Sequence, residues 1–135
     1  MYNVSTEYKN YIKMPSRTLS SKLVVGSNTY TDTDIVDMSL ESNLVPGEEF
    51  TLGTTICNKF EATIMTDNKI MALNVVKPYI GLDVNGTVEE VPLGVFNVDD
   101  VKEVKGNKQI VAYDNMMKLE KAYFSDLTYP TTIQA

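Results

Sequence analysis

Between Arg17 and Tyr113 no stretch carries a helical period; short runs of alternating apolar and polar residues follow one another, separated by turn residues. This constrains the fold more than any other feature. Successive strand side chains point to opposite faces, so each run offers one face to a core and one to water. Parallel strands need long, usually helical crossovers, and none interrupts this region. The pattern therefore predicts a mainly β fold, an antiparallel β-barrel or sandwich, with short helices at the N- and C-terminal ends. A chain of 135 residues suits one domain and can bury about two-thirds of its unfolded surface.

The runs can be placed one by one. Leu19, Ser21, Leu23 and Val25 alternate with Thr18, Ser20, Lys22 and Val24, and Gly26-Ser27-Asn28 follows as a turn. A short strand at Tyr30 precedes Asp34–Leu40, where Ile35 and Asp37 share one face and Val36, Met38 and Leu40 the other. Pro46-Gly47 marks a loop before Phe50–Gly53. Phe60, Ala62 and Ile64 form the apolar side of a half-exposed strand that Asp67-Asn68-Lys69 ends. Val75–Val84 reads as one long strand in which Pro78, lacking a ladder donor, suggests an edge or a bulge.

Asn85-Gly86 is the strongest local signal, because both positions tolerate positive φ in a tight hairpin. A two-residue loop sets Val84 opposite Thr87; a three-residue loop sets it opposite Val88, keeps apolar with apolar, and is preferred. Val91–Val104 is long for one strand, and Gly94 suggests a bend or bulge within it. Lys105–Lys108 turns the chain back into Gln109–Tyr113.

At the N-terminus Ser5-Thr6-Glu7-Tyr8 supplies capping residues for a short helix, TEYKNYIK, stopped by Pro15, with Tyr8, Tyr11 and Ile12 on one face. After the last strand, Asp114 or Asn115 can cap a helix with Met116, Met117, Leu119 and Tyr123 on or near its apolar side. The resulting division is an N-terminal arm over 1–15, an antiparallel β-barrel domain over 16–114, and a helix over 115–135 leading into a segment absent from this chain.

The net charge of −6 disfavours a free nucleic-acid binder and an anionic membrane surface. No apolar run approaches the roughly 20 residues of a membrane span, and the N-terminal stretch lacks the apolar region of a signal peptide. Without histidine, Ser-His-Asp and Cys-His catalysis and the commonest metal ligand are excluded. Glu89-Glu90 and Asp99-Asp100 are strand neighbours expected to face opposite ways, so neither pair can aim two carboxylates at one substrate. Asp32, Asp34 and Asp37 lack the ligand order of a calcium loop and read as a solvated turn. Cys57, the single cysteine, reads as a small buried residue. No phosphate-binding glycine loop is present. No catalytic, cofactor-binding or metal residue is therefore assigned, and no cofactor is expected.

The segments PSRTLSSKLVV, TDTDIVDMSLE, EEFTLGTTICNKFEATI, EVPLGVFNVDDVK, IVAYDNMMKLEKAYF and LTYPTTI follow one another along nearly the whole chain. Their order resembles the N-terminal region of tail hub proteins (also called tail-associated or minor structural proteins) from phages and prophages of Gram-positive bacteria. PLGVFNV, a hairpin, and then AYDNMMKLE is the most specific part. The resemblance implies a tube-like β-barrel domain, a structural and non-enzymatic role, and residence in the virion tail after assembly in the host cytoplasm. It implies a trimeric ring in the full-length protein, with the distal tail protein, the tape measure protein and tip or receptor-binding proteins as partners. It implies neither stable nucleic-acid binding nor membrane insertion. A second tube domain is missing, so the chain is expected to be the front piece of a longer hub.

Within that reading the expected assembly contacts are Tyr8, Tyr11, Ile12, Met116, Met117 and Tyr123, with the loops around 43–49 and 66–74. The rival expectation is a carbohydrate-binding β-sandwich for host cell-wall recognition. It would need clustered exposed aromatics, whereas the chain has no tryptophan and its eight tyrosines are dispersed.

Overall fold

A computed structural model of the chain describes residues 2–42 and 56–119. Its elements are α1 (Thr6–Tyr11), β1 (Leu19–Val25), β2 (Asn28–Thr31), β3 (Ile35–Glu41), β4 (Lys59–Ile64), β5 (Val75–Val84), β6 (Thr87–Pro92), β7 (Phe96–Val104), β8 (Asn107–Asp114) and a 3-10 turn (Asn115–Leu119). The strands form one eight-stranded sheet in the order β2-β1-β5-β7-β8-β4-β3, with β6 also on β5, and every pairing is antiparallel. The expected mainly β, antiparallel fold is thus present.

The expected closure is not. β2 and β3 end the strand order and do not pair with each other, so the sheet is open. It nevertheless surrounds one core. Leu23 and Val25 of β1, Tyr30 of β2, Phe60, Ala62 and Ile64 of β4, Val76 of β5, Phe96 and Val98 of β7, and Ile110 and Ala112 of β8 form a single buried cluster. Ile35 and Met38 of β3 pack against it. Both ends of the sheet reach this cluster only because the sheet curls, as right-handed strand twist favours. The Phe60 and Phe96 rings stack at the centre, with centroids 5.3 Å apart.

Local chemistry explains where the sequence expectations change. The β5–β6 hairpin pairs Val84 with Thr87, so the loop has two residues and the preferred three-residue register is overturned. Asn85 (φ 55°) and Gly86 (φ 82°) are both left-handed, the conformation whose twist matches paired strands. Asp83 Oδ1 further accepts the Gly86 N–H at 2.7 Å. Backbone geometry outweighs the gain from pairing two valines, and Val88 is left exposed.

Pro78 lies on neither a sheet edge nor a bulge. β5 is flanked by β1 on one side and by β7 and then β6 on the other. Pro78 sits where that second neighbour changes, and its carbonyl accepts the Leu93 N–H at 2.9 Å. The bend expected at Gly94 is the break between β6 and β7. In β3 the strict alternation fails: the register slips between Ile35 and Asp37, leaving Val36 exposed. Ile35 and Met38, expected on opposite faces, consequently both pack on the core.

Helix α1 is shorter than its sequence pattern, and of the helix expected over 115–135 the part beyond Leu119 lies outside the described residues. Ser5 caps α1, its hydroxyl accepting the Tyr8 N–H at 2.9 Å. Asp114, one of two candidate caps, accepts the Met116 N–H at 2.9 Å and opens a 3-10 turn. Among the described residues no helix is long and apolar enough to cross a membrane.

Candidate functional site

The expected contact residues fall into two groups at opposite ends of β5. Tyr8, Tyr11 and Ile12 share the half-buried face of α1, as their spacing predicts. That face packs on the Val84 end of β5. Ser5 N–H and Oγ both donate to the Glu89 carboxylate, at 2.8 and 2.6 Å, and the Tyr11 hydroxyl donates to Asn85 Oδ1. The helix is therefore clipped at both ends to the β5–β6 hairpin. The Ser5 hydroxyl and N–H hold the Glu89 carboxyl below its ordinary range.

Met116 and Met117 lie at the other end, since Asp114 pairs with Phe96, which pairs with Val76. The rise of a strand puts the two groups roughly 25–30 Å apart. Met116 is exposed, and Met117 is half-buried in an open hollow it lines with Cys57, Asp99 and Tyr113. Tyr123 and the 43–49 loop lie outside the described residues.

The 66–74 loop is anchored to the domain. Ile70 belongs to the core, and the Tyr30 hydroxyl accepts from Thr66 Oγ1 and Asn68 Nδ2, both at 3.4 Å. Leu73 N–H donates to Val98 O at 2.7 Å, and Val98 N–H donates to Asn74 O at 2.9 Å. Only its tip residues Met71 and Leu73 expose large apolar surface.

Several carboxylates are committed to local structure. Glu89 faces α1, while Glu90 pairs on the other side of the sheet with Lys22, which also stands 4.7 Å from the Tyr79 ring centroid. For Asp99-Asp100 the opposite-face expectation is overturned. The register slips between Val98 and Asp100, so Asp99 lines the hollow with Tyr113 while Asp100 engages Lys102 at 3.4 Å on the same outer side. Asp32 accepts the Ser21 N–H at 2.6 Å, and Asp34 accepts the Thr31 N–H at 3.1 Å, so both stabilise turns around β2. Lys59 is raised above its ordinary range by its hydrogen bond to Glu61, 2.8 Å away. Among the described residues no three histidine, cysteine or acidic side chains converge as a metal cluster.

Two tertiary links carry little or no local signature in the sequence. Asn97 is the buried polar side chain of the described core and donates to Asn115 Oδ1 at 3.0 Å, joining β7 to the 3-10 turn. Its only signal is one amide in the apolar run VFNV. Glu89 and Asn85 form the seat of α1, and their link to Ser5 and Tyr11, more than 70 residues away, has no local signature.

Comparison of the chain with protein-family models, curated proteins and solved structures gave no match to any of them.

Proposed function

We propose that this chain is a non-enzymatic structural module of a phage or prophage tail. It is the tube-like first domain of a tail hub, assembling around the tail axis and connecting tube to tip. The observation that carries the reading is the ordered run of segments from PSRTLSSKLVV to LTYPTTI, with PLGVFNV, hairpin and AYDNMMKLE at its centre. An open antiparallel sheet is compatible with it. Among the described residues β2 and β3 end the sheet with no further strand on their outer sides, and edges of this kind are stabilised when neighbouring subunits cover them. The distal tail protein, the tape measure protein and tip proteins are the partners of this reading.

Immunogold labelling of purified tails with antibody against the domain tests it. Label confined to the tip end of the tail is expected; label along the whole tube, or none on intact tails, contradicts the proposal. Titration with cell-wall sugars should show no saturable binding, and purified sacculi should show no turnover.

A further inference from the structure

α1 contributes no buried residue, yet it packs on the end of β5 where Leu82 and Val84 are buried apart from the central cluster. Leu82 faces Glu89 across the β5–β6 ladder, and Val84 faces Thr87. The site beneath the helix is thus two apolar side chains flanked by the Glu89 carboxylate and the Asn85 amide. Ser5 occupies the first of these polar partners and Tyr11 the second. All of these hydrogen bonds are solvent-exposed, so detaching the helix uncovers little besides Leu82 and Val84.

The connection to the β domain is a compact hinge. Thr18 O accepts the Asp83 N–H at 3.0 Å and fixes the chain where β1 begins. Between there and α1, Arg17 folds the chain back by donating to Ile12 O and Met14 O at 3.2 and 3.3 Å. Opened out, the stretch from Ile12 to Thr18 spans roughly 20 Å at about 3.3–3.6 Å per residue. That is enough to carry α1 to an adjacent molecule.

We propose that α1 is an exchangeable arm, and that the seat formed by Leu82, Val84, Asn85 and Glu89 also accepts the α1 of a second copy of this chain. Complementarity identifies the occupant. The seat requires a helix with an N-cap hydroxyl and N–H for Glu89, a hydroxyl six residues on for Asn85, and the half-buried Tyr8 between, all of which an identical copy supplies. Exchange reproduces the same contacts between molecules. The balance is therefore set by the hinge and by local concentration: the arm closes on its own molecule in dilute solution and exchanges where copies are held side by side. The inference needs only two copies and does not depend on a role in a phage tail.

Deleting Met14–Ser16 cuts the reach from Ile12 to Thr18 from roughly 20 Å to roughly 10 Å, at about 3.3–3.6 Å per residue, and disfavours folding back. The shortened full chain should sediment as a dimer, twice the monomer mass, at tens of micromolar. Adding Glu89→Ala and Tyr11→Phe should return it to monomer with an unchanged far-UV spectrum. A shortened chain that folds but stays monomeric up to millimolar concentration overturns the proposal. If the shortened chain does not fold, the unaltered protein answers the question. A co-refolded, millimolar mixture of isotope-labelled and unlabelled copies should show intermolecular contacts between Tyr8 or Tyr11 and Val84, and their absence overturns it.

Discussion

Gly94 links β6 to β7 with φ at +148°, and a Cβ there would stand 3.0 Å from Cε2 and 3.1 Å from Cζ of Phe96. Phe96 cannot retreat without losing its stack on Phe60. Gly94→Ala should therefore destabilise the fold by about 1–3 kcal/mol, measured by urea denaturation. A glycine in a strand-like run announces such a site in the sequence, and the bend there was legible. The exposure of Val36 was not, because a bulge shifts the phase of β3 while leaving the apolar pattern of IVDMSLE unchanged. The burial of Asn97 was equally hidden, since its partner Asn115 belongs to a turn formed after the next strand.

Individual elements separate local from tertiary causes. Helix α1 was visible with its cap and its Tyr8, Tyr11 and Ile12 face, and so were the turn residues of the β5–β6 hairpin. What holds one to the other lies between distant residues and left no trace in the pattern. Because the folded Glu89 carboxyl is depressed by Ser5, its contribution to holding α1 is complete above the unfolded carboxylate value, about 4.3. That contribution falls away as pH drops through the lower folded value. Protection of the Thr6–Tyr11 amides, taken relative to their intrinsic exchange rate at each pH, should therefore fall as pH drops below about 4.3, ahead of protection in β4 and β8. Glu89→Gln should give the faster α1 exchange already at pH 7 and largely remove its acid dependence. If exchange in the native and Glu89→Gln chains is identical at pH 7, this clip contributes nothing to docking.

At the scale of the whole molecule, residues from every strand except β6 meet in or against one core, so the domain should unfold in one cooperative step. Phe60 is fully buried at its centre, and Phe60→Ala should cost about 3–5 kcal/mol in chemical denaturation without changing the steepness of the transition. Fold class was legible because period-two runs without helices leave only antiparallel solutions. The openness of the sheet was not, since closure depends on whether β2 and β3 meet, which no local pattern encodes. Tyr8, Tyr11, Ile12, Met116 and Met117 were legible as exposed or half-exposed positions on short terminal elements, but not as two groups at opposite ends of β5. The central claim, that the chain is part of a phage tail, is tested most directly by mass spectrometry of tail particles purified after prophage induction. The tryptic peptide from Gln109 to Lys118 should appear in intact particles, at low copy relative to the major tube protein. Intact particles that lack this peptide while yielding the other tail proteins would contradict it.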